Sequence, residues 1–177
     1  ADAGNARLRK VATDGTVTTL AGSTQGFADG TGVDARFATT WGVAVDAAGW
    51  VYVGDMGGAN GDFYAIGAGN QRVRQVSPAG VVTTLAGSGD YGFLDGPAAT
   101  ARFQQPNGLA VGSTGVVWVA DQSNNRLRQI AATGPAPTIT SVTPPYGQVA
   151  GGTTVTLTGT EFVIGATVSF GGLPATE

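Results

Sequence analysis

Two seventeen-residue segments of this chain are closely similar. RLRKVATDGTVTTLAGS, from Arg7 to Ser23, returns as RVRQVSPAGVVTTLAGS, from Arg72 to Ser88. The match resumes after one extra residue, because GFADGTGVDARF and GFLDGPAATARF then end at Phe37 and Phe103. Self-similarity of this extent is the signature of a repeat architecture, in which each copy builds one unit and neighbouring units bury a shared core.

A third, incomplete copy follows the second. Its segments VWVAD and RLRQI correspond to VYVGD and RVRQV in the middle copy. Sixteen residues lie between Asp55 and Arg72, whereas four lie between Asp121 and Arg126. The middle copy therefore carries an insertion of about twelve residues, Met56 to Gly67.

Each copy contains segments typical of short β-strands, in which Val, Thr, Leu and Tyr alternate with Arg. In the middle copy the predicted strands are Val43–Asp46, Val51–Gly54, Arg72–Ser77 and Val81–Ala86. The tetrapeptides DAAG and SPAG join them as tight turns, because Gly supplies positive φ and Pro presets a turn. Four antiparallel strands per repeat predict a propeller blade.

The ordered motifs GVAV, VYVGD or VWVAD, NQRVRQV or NNRLRQI, and VVTTLAGS resemble the NHL repeat, in its long bacterial form with a GF-x-DG-x-ARF loop between blades. The resemblance covers residues 1–131 and implies a β-propeller. About two and a half blades are present. Since so short a stack leaves sheet edges open, we expect further blades upstream or association of chains to close a ring.

The composition changes after Ala131, because all nine basic residues lie at or before Arg128. Residues 132–137 (ATGPAP) are interpreted as a stiff linker. Residues 138–177 contain SVTPPYG, AGGTTVTLTGTEF and ATVSFGG, whose spacing resembles the first half of an IPT/TIG domain, an immunoglobulin-like sandwich. The predicted fold class is all-β: a partial NHL-type β-propeller followed by a partial Ig-like (IPT/TIG) β-sandwich.

Composition also excludes several kinds of site. With no His and no Cys, the chain builds no Ser-His-Asp triad, Cys nucleophile, His or Cys zinc site, or disulfide. A net charge of -3 with one lysine leaves no basic field for nucleic acid, and no apolar run is long enough for a membrane helix. We therefore predict no catalytic, cofactor-binding or metal-binding residues, and neither nucleic acid nor membrane as a partner.

Polar residues that recur in each copy are interpreted as architecture. Asp55 and Asp121 end equivalent strands, and we predict that each caps a turn and pairs with the following Arg72 or Arg126, or with the backbone of the neighbouring Asn. The alternative is that these polar groups surround the mouth of a ligand site. Arg74 falls at an outward, polar position of its strand by the alternation rule.

The loops between blades carry a second set of recurring residues. The four loop phenylalanines are predicted to fill the gaps between blades: Phe27, Phe37, Phe93 and Phe103. The loop carboxylates Asp29 and Asp95 are predicted to fix the loops, with calcium binding as the alternative, although one carboxylate per loop is a sparse ligand set.

The insertion is the best candidate for a binding site because it departs from the repeat. Its Asp62, Phe63 and Tyr64 lie among glycines, and two aromatic rings on such an arm suit a sugar or a peptide. Trp50, at a hairpin tip, is a further candidate contact. The alternative is that the insertion is surface decoration.

These features predict a noncatalytic binding or scaffold segment of a larger bacterial protein, secreted or at the cell surface. Its expected partners are a protein or carbohydrate ligand, bound through propeller loops, and neighbouring blades in the same or another chain. The alternative is part of a six-bladed propeller lactonase or lyase, since the resemblance extends to such enzymes and further blades would supply their catalytic residues. A purely structural stalk is a third possibility.

Overall fold

The computed structural model describes residues 1–57, 70–131, 138–144, 154–160, 169–170 and 173–174. The chain divides into two compact units, Ala1–Ala132 and Thr133–Glu177. The strands of both units pair antiparallel. Among the described residues, no helix has the length and apolar character needed to cross a membrane. The predicted linker, 132–137, lies outside the described residues.

Three sheets make up the first unit, and each is a blade or part of one. The first blade is the pair β1-β2, the middle blade has the order β3-β7-β6-β5-β4, and the last blade has the order β10-β9-β8. The strands are β1 (Leu8–Val11), β2 (Val17–Ala21), β3 (Gly30–Thr31), β4 (Thr39–Val45), β5 (Val51–Met56), β6 (Gln71–Val76), β7 (Val81–Gly89), β8 (Pro106–Val111), β9 (Val117–Asp121) and β10 (Arg126–Ile130). The all-β fold and the propeller blades are thus confirmed.

The middle blade contains the four predicted strands in sequence order, β4 to β7. Gly49 and Gly80, at the ends of the two predicted turns, have φ angles of 85° and 82°, which glycine adopts without steric cost. The backbone N–H groups of Gly49 and Gly80 donate to the carbonyls of Asp46 and Ser77 at 3.1 and 2.8 Å. The four strands therefore form two hairpins, with β3 from the preceding loop added along β7.

Apolar clusters lie between successive blades. The cluster between the first and middle blades contains Leu8, Ala21, Ala35, Phe37, Val53, Val76 and Val82. The cluster between the middle and last blades contains Tyr52, Val73, Ala86, Ala101, Phe103, Val117, Val119 and Ile130.

We call the face that packs against the next blade the forward face, and the opposite one the back face. In the middle blade, Tyr52 and Val73 lie on the forward face, and Val53 and Val76 on the back face.

Glycine permits the closest approach between the middle and last blades. A Cβ atom at Gly42 of β4 would collide with the carbonyl oxygen of Asn107, and one at Gly54 of β5 with that of Pro106. Both carbonyls belong to β8. The backbones of β4 and β5 therefore pack directly against the backbone of β8.

The second unit contains two strand pairs among its described residues. β11 (Thr138–Thr143) pairs with β12 (Thr156–Thr160), and β13 (Ser169–Phe170) pairs with β14 (Leu173–Pro174). The alternating Thr, Val and Leu of the sequence thus fall in or beside β12.

Candidate functional site

Each copy of the repeat builds the same polar corner around one aspartate. In the middle blade, Asp55 is fully buried. Its Oδ1 accepts hydrogen bonds from the backbone N–H of Ala38 at 2.9 Å and from Asn70 Nδ2 at 3.1 Å. Its Oδ2 accepts from Arg74 Nη1 at 2.7 Å. The aspartate therefore joins β5, β6 and the chain entering β4.

Arg74 is the centre of this corner, and its side chain is 0% exposed. Its Nη2 donates to Asp29 Oδ1 at 2.6 Å and to the carbonyl of Ala28 at 2.8 Å, while Nη1 also reaches the carbonyl of Arg36 at 3.2 Å. The guanidinium lies 4.8 Å from the ring centroid of Phe27 and 5.2 Å from that of Phe37. One arginine thus fastens the loop between the first and middle blades onto β6.

The last blade repeats this arrangement. Asp121 accepts from the backbone N–H of Gln104 at 2.7 Å, from Asn124 Nδ2 at 2.8 Å and from Arg128 Nη1 at 2.8 Å. Arg128 also pairs with Asp95 at 2.6 Å. The first copy keeps a looser version, in which Arg9 lies 3.4 Å from Asp2 and Asn5 donates to Asp2 at 2.9 Å.

Recurrence in all three copies supports the structural interpretation of the aspartates. The predicted partners were wrong, however. The paired arginine is Arg74 or Arg128 and not Arg72 or Arg126, and the asparagine binds the aspartate through its side chain and not its backbone. The expectation that Arg74 points outward was also wrong. Alternation identifies the face of a strand on which a residue lies, but here the loop from the preceding blade covers that face.

The loop phenylalanines divide into two kinds. Phe37 and Phe103 are buried in the clusters between blades, as predicted, at 0% and 1% exposure. Phe27 and Phe93 are 45% and 42% exposed. They lie under Arg72 and Arg126, with guanidinium carbons 4.0 and 3.9 Å from the ring centroids.

Burial dominates the electrostatics of the middle corner. It raises the pKa of Asp55 to about 7, although Arg74, the Ala38 N–H and Asn70 all act in the opposite direction. Burial also lowers the pKa of Arg72, and the nearby charge of Arg74 adds to this effect. Both groups lie where the insertion begins and ends.

Arg72 departs from its counterparts in the other copies. Arg7 and Arg126 each donate Nη1 to the carbonyl of the asparagine two residues earlier, at 2.7 and 3.0 Å. Arg72 instead donates Nη2 to the carbonyl of Ser88 at 2.7 Å, and its buried Nη1 makes no hydrogen bond to any residue that the structure describes. Gly89, with a φ of 93°, makes room for this guanidinium, which occupies the position that a Cβ would need.

An open cavity of about 400 Å³ lies beside Arg72. It is lined by Phe27, Arg72, Thr84, Leu85, Ala86, Gly87, Ser88, Ala98 and Ala99. Most of these residues come from the distal half of β7 and from the loops on either side of the middle blade. The cavity therefore combines an apolar wall with a stacked arginine and phenylalanine.

The cavity and the two points at which the insertion is attached lie at the same end of the middle blade. Asp55 of β5 and Arg72 of β6 lie opposite each other in the strand register at this end, which we call the connection end, and the insertion connects β5 to β6 here. The insertion residues Asp62, Phe63 and Tyr64 lie outside the described residues. Gly57 and Asn70, which flank residues 58–69, place their attachment beside Arg72.

Trp50 lies at the opposite end of the blade. It precedes Val51, which pairs with Val76, and six strand residues separate it from the connection end by roughly 20 Å. Its side chain is half-buried and packs against the cluster shared with the last blade, so it is less exposed than a hairpin tip suggested. The structure does not bring it together with the attachment points of the insertion.

No metal centre is formed by the residues that the structure describes, since they contain no group of three or more acidic side chains suited to a metal ion. Asp29 is engaged by Arg74 and by the N–H and hydroxyl of Thr84, at 3.2 and 3.3 Å. The calcium alternative for the loops would require this carboxylate to exchange those partners.

Comparison with protein families agrees with these features. Residues 103–130 match the NHL repeat, and residues 137–177 match the IPT/TIG domain. Both resemblances found in the sequence are thus confirmed. A 72-residue segment is 36% identical to the protein SUPPRESSOR OF QUENCHING 1, chloroplastic, of Arabidopsis thaliana, covering 40% of this chain and 7% of that protein.

Solved structures share the fold. A structural genomics protein of unknown function from Bacteroides thetaiotaomicron is 26% identical, with a TM-score of 0.62, over 74% of this chain and 31% of its own. An auxiliary nutrient binding protein from the same organism is 22% identical, with a TM-score of 0.56, over 71% of this chain and 32% of its own. The chain spans about a third of the length of these propeller-like proteins.

Proposed function

We propose that this chain is a noncatalytic binding and scaffold segment of a larger bacterial protein, secreted or at the cell surface. It recognises a protein or carbohydrate ligand through the connection end of the middle blade. The bacterial and extracellular assignment rests on the resemblance to the long form of the NHL repeat.

The observation that carries this proposal is the cavity beside Arg72. Repeat positions that serve only the fold are expected to keep the same contacts in every copy, as Asp55 and Asp121 do. Arg72 instead exchanges its usual backbone partner for Ser88 and opens onto a cavity. Departure from the repeat, together with a concave and partly apolar surface, is typical of a binding site.

The chemistry of the cavity suits recognition. Apolar atoms of Leu85 and Ala98 provide a surface for an apolar face of a sugar or for an aliphatic side chain. Arg72 adds hydrogen-bond donors of fixed geometry beside them. Asp55 is fully buried and held by three hydrogen-bond donors, which supports a structural role for it.

A screen followed by paired variants tests the proposal. The intact chain is applied to arrays of bacterial and plant glycans and of peptides, and the affinity for any ligand is measured by calorimetry. Phe27→Ala removes one wall of the cavity, whereas Phe93→Ala removes the equivalent ring of the last blade. We expect Phe27→Ala to weaken binding at least about tenfold, which is 1.4 kcal/mol, and Phe93→Ala to leave it unchanged. Equal effects of the two variants, or no ligand on either array, would contradict the proposal.

A further inference from the structure

The cavity beside Arg72 is lined by charge of one sign. Among the described residues that line it, Arg72 alone is charged, and the others are apolar or carry neutral polar groups. Arg72 forms no ion pair with any residue that the structure describes, whereas Arg9, Arg74, Arg102 and Arg128 each form at least one. Such a site is complementary to a negatively charged group.

The carboxylates close to Arg72 are bound to other arginines. Those that act on its charge are Asp55, Asp29 and Asp90. Asp55 and Asp29 pair with Arg74 at 2.7 and 2.6 Å. Asp90 pairs at 3.2 Å with an arginine of the loop that follows it. The guanidinium of Arg72 therefore lies beside the cavity while each of these carboxylates has a different partner.

The guanidinium of Arg72 also retains unused donors. Nη2 gives one of its two N–H groups to the carbonyl of Ser88, and Nη1 makes no hydrogen bond to a described residue. Nη1 is packed against Gly89, so a ligand reaches it when the guanidinium turns on the ring of Phe27, whose centroid lies 4.0 Å away. Such a turn keeps the stacking and presents the planar pair of donors that a carboxylate accepts.

The edge of β7 at the cavity favours a glycan over a peptide. The backbone N–H of Thr84 donates to Asp29 Oδ2 at 3.2 Å. Those of Gly87 and Ser88 donate to carbonyls of the loop that follows β7, both at 2.8 Å. These groups are therefore not free to pair with an extended peptide added along β7. A sugar does not need them, because its C–H face packs on apolar side chains such as Leu85.

We propose that the ligand of this cavity is an acidic glycan, in which the carboxylate of a uronic acid unit pairs with the guanidinium of Arg72. This inference rests on the proposed function and adds the class of ligand to it. The apolar face of the same unit packs against Leu85. Since the chain as a whole has a net charge of -3, attraction of the anion depends on Arg72 and not on a basic surface.

Paired ligands test the role of charge without altering the protein. Oligosaccharides that contain glucuronate, galacturonate or mannuronate are each compared with the same oligosaccharide after reduction of its carboxylates to alcohols, by calorimetry on the intact chain. We expect at least one acidic form to bind at least about tenfold more tightly than its reduced form. Its affinity should fall at least about threefold between about 0.05 and about 0.5 M salt, because salt screens the ion pair.

Matched variants then test whether Arg72 is the residue that binds the carboxylate. Arg72→Gln should remove the preference for the acidic form. Arg126→Gln alters the equivalent arginine of the last blade, which stacks on Phe93, and should leave the preference unchanged. Arg72→Lys retains the charge without the planar donors and should retain part of the preference. The melting temperature of each variant is the control for folding.

The outcomes separate this inference from the proposed function. Equal binding of acidic and reduced forms, a preference that persists in Arg72→Gln or is lost in Arg126→Gln, or binding of acidic peptides in place of glycans would overturn the inference. If no acidic oligosaccharide binds but a neutral glycan does so through Phe27, the inference is wrong and the proposed function stands. The absence of any ligand would contradict both.

Discussion

The middle and last blades each contain the same polar corner, but they differ in the connection that joins their second and third strands. In both, an aspartate at the end of the second strand accepts hydrogen bonds from an asparagine and from a buried arginine of the third strand. In the last blade, the short 3-10 turn Gln122–Asn124 links the two strands. In the middle blade, fourteen residues, 56–69, lie between Asp55 and Asn70.

This difference separates the roles of two neighbouring arginines. Arg74 and Arg128 keep the same partners because the corner must hold the interblade loop in both blades. Arg72 and Arg126 keep only their stacking on phenylalanine. The corner therefore serves the fold. The middle blade differs from the last blade in the connection and in the contacts of Arg72.

The largest expected effect comes from removing the central arginine of a corner. Arg74→Met leaves Asp55 without its charged partner inside the protein and should lower the free energy of unfolding by about 3 kcal/mol. Arg128→Met should cost less, because Arg128 and its partner Asp95 are 9% and 72% exposed. Urea unfolding followed by tryptophan fluorescence measures both. A larger loss for Arg128→Met would contradict the comparison.

A smaller effect is expected from pH. Because burial raises the pKa of Asp55 from 3.8 to about 7, the folded chain retains a proton that the unfolded chain releases between these values. The contribution of Asp55 to stability should therefore fall as the pH rises from about 4 to about 7. The pH dependence of urea unfolding, compared between the unaltered chain and Asp55→Asn, isolates this contribution. Identical slopes for the two proteins would show that Asp55 does not titrate in this range.

The smallest effect is expected at the loop carboxylates. Asp29→Asn weakens the ion pair with Arg74 and the contacts with Thr84 and should cost about 1 kcal/mol. Asp95→Asn should cost less than about 0.5 kcal/mol, since Asp95 is the more exposed partner. Thermal melting of both variants provides the test, and equal losses would count against the role of Thr84.

The sequence predicted the blades well because the repeat fixes their strands and turns locally. Each of the four predicted strands of the middle blade overlaps an observed strand, although β4 begins at Thr39 and β7 extends to Gly89. The burial of Arg74 was missed because its partners Ala28 and Asp29 lie about 45 residues earlier in the chain. Alternation along one strand contains no information about such a distant loop.

The candidate site shows a similar division. The insertion was recognised as a departure from the repeat, whereas the cavity was missed because four separate segments meet there: Phe27, Arg72, 84–88 and 98–99. One signal was present in the sequence: Gly89 is the extra residue after the second repeat segment. Only glycine leaves room at this position for the guanidinium of Arg72.

Replacing the connection of the middle blade by that of the last blade tests the central claim most directly. In this variant, Gln-Ser-Asn-Asn replaces residues 56–71, which retains the corner asparagine and restores the sequence that follows Asp121. Binding to the ligand found on the glycan or peptide array is measured by calorimetry, with the melting temperature as the control for folding. We predict that the folded variant loses measurable binding. A folded variant that binds as tightly as the unaltered chain would contradict the assignment of recognition to the connection end.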